Sequence, residues 1–134
     1  MTLRLVAHYG DLCNIIESPE GLERKYAILR EHCAAAGRDY DEIQRTSVSL
    51  CAVADSDEEA RATVPAGADA LFPGDVRDYG LIGTPDTIRE RLARYEEAGV
   101  QELAISFVAA DPAALMRRYA GEFMVNNGDV TTGC

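Results

Sequence analysis

The sequence predicts an α/β domain built on about three parallel strands with flanking helices. Three observations predict it. Short apolar runs bounded by turn signals read as strands, helical stripes long enough to serve as crossovers lie between them, and Ser-Pro, Thr-Pro and Asp-Pro pairs open those helices. Strands joined through helices of this length pair parallel, with right-handed crossovers.

Leu3, Leu5, Val6 and Tyr9 form one helical stripe, which Gly10-Asp11 ends. Leu12 to Ile16 is a short apolar run between turn signals, the pattern of a strand buried on both faces. Ser18-Pro19-Glu20 then supplies a capping hydroxyl, a proline where its missing N–H costs nothing, and an acid suited to the helix dipole. Leu22, Tyr26, Leu29, Cys33 and Ala36 share one face of the following helix; Arg24, Lys25, Arg30 and Glu31 take the other, and Gly37 provides a left-handed stop. After a polar connection, Thr46 to Ala54, small and β-branched, reads as the second strand. Asp55-Ser56-Asp57-Glu58-Glu59-Ala60 opens a helix crowded with carboxylates. N-caps and first turns favour such residues on dipole grounds, and no second ligand set accompanies them, so no metal site is expected.

Pro65 to Gly83 holds too many glycines and prolines for one regular element and is expected to be a working loop with about one helical turn. Thr84-Pro85-Asp86 repeats the capping pattern before a helix striped by Ile88, Leu92 and Tyr95 and ended by Gly99. Leu103 to Phe107 is the third strand, and Asp111-Pro112 opens a helix carrying Leu115, Met116, Tyr119 and Phe123. The stretch from Val125 to Cys134 has no apolar period and is expected to fray. A three-stranded parallel sheet leaves two open edges, and the first helix has no strand before it, so the chain is expected to be part of a larger unit.

The 134 residues carry 13 Lys and Arg against 23 Asp and Glu, a net charge of −10, which repels phosphate backbones and anionic lipids. Neither nucleic acid nor a membrane is an expected partner, and with no long apolar run the expected location is the cytoplasm. Cys13, Cys33, Cys51 and Cys134 form no Cys-x-x-Cys pair. The first three lie in apolar patterns and are expected as small buried hydrophobes, although they could still meet in space; Cys134 is expected to be exposed. His8 and His32 fall in helices away from any strand end, so no nucleophile–base pair assembles, and no Gly-rich nucleotide motif occurs.

Four segments, in order, resemble the luciferase-like monooxygenases, particularly members that use the deazaflavin coenzyme F420. They are Leu3 to Asn14 (Leu3-Arg4-Leu5-Val6-Ala7-His8-Tyr9-Gly10-Asp11-Leu12-Cys13-Asn14), Lys25 to Asp41, Gly83-Thr84-Pro85 with Ile88-Arg89-Glu90-Arg91-Leu92 and Ala98-Gly99-Val100, and Leu103 to Phe107. The resemblance spans about residues 2 to 124 and implies one domain over 1–124, with 125–134 as a tail. It implies the C-terminal part of a TIM-type (β/α)8 barrel, a fold of roughly 250 residues. The family has a Gly-rich strand end, which meets the cofactor phosphate, just upstream of the matched region. Most of its ring pocket and its acid–base residues also lie in the other half, so no catalytic residue is assigned. Ile16-Glu17-Ser18 does not offer the Thr and Lys with which the family's sugar-phosphate dehydrogenases hold substrate, so that substrate class is not expected.

In a parallel barrel the reactive face lies at the C-terminal strand ends. Asn14, facing a phosphate or ring carbonyl, and Ser106, with a hydroxyl at the mouth of the last strand, are the cofactor-binding candidates; each could instead satisfy a neighbouring backbone group. Helix N-termini behind Ser18 and Thr84 offer generic anion sites. The implied activity is oxidoreduction of a small organic substrate with F420, or alternatively FMN. The competing expectation is a non-catalytic half-barrel that pairs its open edges with a second copy or a complementing subunit.

Overall fold

A computed structural model describes residues 3–124. Its elements in chain order are α1 (Leu3–Tyr9), β1 (Leu12–Asn14), α2 (Pro19–Ala36), β2 (Gln44–Val53), α3 (Asp57–Ala62), α4 (Val76–Tyr79), β3 (Leu81–Gly83), α5 (Pro85–Glu97), β4 (Glu102–Phe107) and α6 (Pro112–Tyr119). A π-turn at Ala120–Met124 follows. The fraying expected of 125–134 and the exposure expected of Cys134 fall outside the described residues.

The sheet is organised by β2, because successive residues of a strand turn their backbone groups to opposite edges. Ile15 N donates to Thr46 O (3.1 Å) and Ala54 N to Gly83 O (3.2 Å), so β1 and β3 share one edge. Gln101 N donates to Arg45 O and Val108 N to Cys51 O, both at 2.9 Å, which puts β4 on the other. All three pairings are parallel: β1 lies beside Gln44–Thr46, β3 beside Cys51–Val53 and β4 beside Thr46–Cys51. Across the sheet β1, β2 and β4 therefore follow one another in chain order, as consecutive barrel strands do.

The strand β3 is a correction to the expectation for Pro65 to Gly83. Three residues are too few to show a period, and what makes them a strand is non-local: they fill the edge of β2 above β1, all three buried. A second correction concerns β1, where Cys13 is fully buried but Leu12 and Asn14 are exposed. One face of the sheet is packed; the other is open along β1 and β4, while β2 is buried there at Thr46, Leu50 and Ala52. On β4 the same split alternates residue by residue, Ala104 and Ser106 exposed, Leu103, Ile105 and Phe107 half-buried.

The packed face carries the helices. Leu22, Tyr26, Leu29 and Cys33 of α2, fully buried or nearly so, join Cys13, Cys51, Ile88 and Tyr95 in one core. Burial of each large aliphatic side chain stabilises by about 1.5–3 kcal/mol. The ends of α2 are set as its sequence dictates: Ser18 Oγ accepts from Gly21 N, and Gly37, at φ 68°, donates to Ala34 O. Beyond α2, α6 covers β4 through an edge-on contact of Tyr119 with Phe107, ring centroids 5.4 Å apart. Among the described residues no helix is long and apolar enough to cross a membrane.

Candidate functional site

The C-terminal ends of β2 and β4 meet under a roof made by the segment after α3. Phe72 is 4% exposed and anchors the roof in the core, while its neighbour Leu71 stays 73% exposed. Between roof and sheet lies a cavity of about 320 Å³ reached by Leu50, Ala68, Leu71, Phe72, Ser106 and Val108. Ser106 is its one hydroxyl.

The segment that follows the roof, from Asp75 to Ile82, is tied down by three arginines, none of which lines the cavity. Arg61 donates to Arg77 O (2.9 Å) and to Asp78 (3.0 Å), Arg77 to Asp75 (3.0 Å), and Arg91 to Arg77 O (3.0 Å) and Ile82 O (3.2 Å). Tyr79 OH donates to Pro73 O at 2.9 Å. Burial of Arg91 lowers its pKa from the ordinary guanidinium value. Sequence reasoning missed these residues because their partners are carbonyls in an aperiodic segment.

Asn14 lies on the same open face as Ser106 but not in the same pocket. It pairs with Thr46 and Ser106 with Leu50, so four residues along β2 and two strand spacings separate them, about 16 Å. The end of β1 is level with Thr46, seven residues short of the end of β2. Asn14 Oδ1 accepts from Thr46 Oγ1 at 2.9 Å and borders a separate groove with Leu3, Ile15, Ile16, Lys25 and Ile28.

Both generic anion positions hold a carboxylate of the chain itself. Glu17 accepts from Ser18 N (3.0 Å) at the start of α2 and also pairs with Lys25 at 3.1 Å. At the start of α5, Asp57 Oδ1 accepts from Thr84 N (2.9 Å) and Thr87 Oγ1 (2.8 Å). The Thr84 amide, then the Thr87 hydroxyl, hold the Asp57 carboxyl below the ordinary carboxylate range. Gly83 makes room for this contact: at φ 152° it has no Cβ, and one built there would lie 2.4 Å from Asp57 Oδ1. The Gly-Thr-Pro turn thus receives Asp57, a residue whose own position in the first turn of α3 suggested only a dipole role.

The opposite end of β2 is closed by Arg45, 8% exposed. Its Nε donates to Gly99 O (3.1 Å), its Nη1 to Ile43 O (3.3 Å) and Tyr40 O (3.4 Å), and its guanidinium lies 4.2 Å from the centroid of the Tyr40 ring. Asp41 stands 3.6 Å away.

The remaining candidates stay apart. His8 is exposed and His32 half-buried, neither at a strand end. Cys13, Cys33 and Cys51 are buried free thiols, and burial pushes Cys51 up to about 12, which leaves it protonated at neutral pH. Asp55 of the acidic cluster reaches Arg118 at 3.8 Å, and among the described residues no three His, Cys, Asp or Glu side chains form a metal-binding group. Ser47 Oγ and Tyr95 OH, both buried, lack a hydrogen-bond partner among the described residues.

No protein-family model matches the sequence, and no curated protein matches it. Solved structures do match in fold. An F420-dependent secondary alcohol dehydrogenase, in complex with an F420–acetone adduct, superposes with a TM-score of 0.76 at 14% identity over 91% of this chain and 44% of that one. The coenzyme F420-dependent tetrahydromethanopterin reductase from Methanopyrus kandleri gives 0.69 at 15% identity, covering 91% and 47%. The FMN-bound oxygenating constituent of 3,6-diketocamphane monooxygenase from Pseudomonas putida, a type II Baeyer–Villiger monooxygenase, gives 0.57 at 21% identity, covering 86% and 42%. The chain spans less than half the length of each. At these identities the likeness is one of fold, a partial (β/α) barrel.

Proposed function

We propose that the chain is the C-terminal part of a luciferase-like oxidoreductase barrel, acting with F420, or alternatively FMN, on a small organic substrate. The observation that supports this reading most is the succession of β1, β2 and β4, whose open face carries Asn14 and Ser106, in a fold shared with F420- and FMN-dependent proteins. When bound, such a cofactor supplies hydride or oxygen chemistry.

The residues fit part of it. Ser106 presents a hydroxyl on an exposed face that can meet a ring carbonyl, and Asn14, about 16 Å away on the same face, presents an amide that can meet a different part of the cofactor. The starts of α2 and α5 do not fit a phosphate, because Glu17 and Asp57 already take the cap N–H groups of Ser18 and Thr84 and their charge would repel it. Phosphate anchoring is therefore assigned to residues other than these. The chain's own part is to hold the ring on the open face and to shield the C-terminal end of the sheet with the roof.

Fluorescence titration of the purified chain with F420 and FMN tests the reading. Saturable binding that weakens in Ser106→Ala or Asn14→Ala is expected; failure of both cofactors to bind at high micromolar concentration overturns it. The second reading, a non-catalytic half-barrel paired with a second copy or a complementing subunit, is favoured by the exposure of Leu12, Ala104 and Ser106 on the open face. Under that reading sedimentation gives a dimer and no cofactor binds. A stable monomer without a partner contradicts it.

A further inference from the structure

We propose that the cavity beneath residues 65–72 binds a neutral, apolar organic moiety, seated on Leu50 and Val108 and oriented by the Ser106 hydroxyl. The inference deepens the reading of this end of the sheet as the reactive face and rests on that reading for its biological role.

Four observations carry it. None of the nine lining residues is charged, and eight of them offer only aliphatic or aromatic side chains or a glycine backbone. An ionic ligand would lose its hydration with no countercharge to replace it, whereas an apolar one gains by leaving water. Arg61, Arg77 and Arg91 line no part of the cavity and are already engaged with carbonyls and carboxylates of the segment that follows the roof. Asp69 of the roof and a net charge of −10 add a field that disfavours anions.

The cavity is also built in advance of any ligand. Phe72 pins the roof to the core, Tyr79 ties Pro73, and the arginines hold Arg77 and Ile82, so little ordering remains to oppose binding. Against that fixed frame Leu71 is left 73% exposed at the lip. At about 320 Å³ the space is at the lower end of small-molecule pockets, which suits a hydrocarbon moiety of up to about three rings rather than a whole large ligand. A single hydroxyl among apolar walls selects a ligand that carries one carbonyl or hydroxyl beside its hydrocarbon part.

The test uses the neutral fluorophore N-phenyl-1-naphthylamine and its anionic relative 8-anilino-1-naphthalenesulfonate on the full chain. The neutral probe is expected to bind saturably at one site and the anionic one at least about tenfold more weakly. Leu71→Ser is expected to weaken the neutral probe about three- to tenfold, and Ala68→Trp, which fills the space, to abolish its binding. Leu5→Ser, on the exposed apolar surface of α1, is expected to change nothing. Absence of saturable binding, equal affinity for the two probes, or binding that Leu71→Ser leaves untouched overturns the proposal. Should Ala68→Trp fail to fold, Leu71→Ser decides, because that side chain is mostly exposed. F420 and FMN titrations on the same samples keep the two readings distinct. Cofactor binding without probe binding overturns the cavity assignment alone; probe binding without cofactor binding supports the cavity and overturns the cofactor reading.

Discussion

The two ends of β2 solve the same problem, closing the end of a parallel sheet, in opposite ways. At the N-terminal end a cation is drawn inside: Arg45 is buried, its donors spent on the carbonyls of Gly99, Ile43 and Tyr40 and its plane over an aromatic ring. At the C-terminal end Arg61, Arg77 and Arg91 tie down the segment that follows the roof, and the cavity between roof and strand is lined by no charged residue. The first arrangement fills space, and the second keeps it available. In parallel (β/α) barrels the N-terminal strand ends serve stability and the C-terminal ends carry chemistry, and the proposed cavity lies at the C-terminal end of these ten residues.

Breaking the N-terminal closure has the largest expected effect. Arg45→Ala strips three carbonyls of a donor, the buried one of Ile43 among them, and removes the cation from the Tyr40 ring. A loss of about 3 kcal/mol in urea unfolding is expected, with the affinity of the roof cavity for a neutral probe unchanged in the folded protein. A loss below about 1 kcal/mol would mean that water replaces the guanidinium at little cost and that the two ends differ less than their geometry indicates.

Gly83→Ala strikes the other end. An added Cβ collides with Asp57 Oδ1 and with the Thr87 side chain at a φ of 152° that an L residue rarely adopts. About 2 kcal/mol of destabilisation is expected. Because Gly83 lies in β3, beside the roof, probe binding should weaken together with stability, the coupling that Arg45→Ala should not show. Equal effects of the two substitutions on probe affinity would erase the proposed division.

Much of the frame is legible in the residues, and what is not has a common cause. The helices α2 and α5 announce themselves through Ser18-Pro19 and Thr84-Pro85, and both caps accept the hydrogen bonds their spacing implies. The period of Leu103, Ile105 and Phe107 places Ser106 on the opposite face of β4, where it is. The level of Asn14 is not legible, because it depends on three pairs that β1 makes with Gln44 to Thr46, thirty-two residues further on. The sequence reading also starts the second strand at Thr46, one residue after the arginine that closes it. Local signals describe elements; β3, Arg45 and the roof arginines are defined by what they meet across the fold.

Between the two ends lies Ser47, fully buried, with a hydroxyl that meets no partner among the described residues. Such a group gives up its hydration without return, so Ser47→Ala is expected to stabilise by about 1 kcal/mol, unlike the substitutions at either end. A thermal midpoint that falls instead would show that an internal water satisfies the hydroxyl. Applied together with Arg45→Ala, it would also show whether the middle of β2 is energetically independent of its N-terminal closure.

The smallest effect, and the one that isolates electrostatics, is expected from Asp57→Asn. The Asp57 carboxyl has a pKa lowered in the folded state by the Thr84 amide and the Thr87 hydroxyl. The unfolded state therefore binds its proton more readily, and folding favours the carboxylate. The resulting stabilisation is fully present above the ordinary carboxylate pKa and disappears as pH falls through the lowered folded value. Asp57 is exposed, so solvent screening keeps the effect below about 1 kcal/mol at neutral pH. Asp57→Asn should consequently cost most at pH 7 and converge on the parent protein in acid, a difference that urea titrations across that range can resolve. Convergence at high pH, or a penalty constant with pH, would mean that the carboxylate charge does not secure the start of α5 and that shape alone holds the roof end of the sheet.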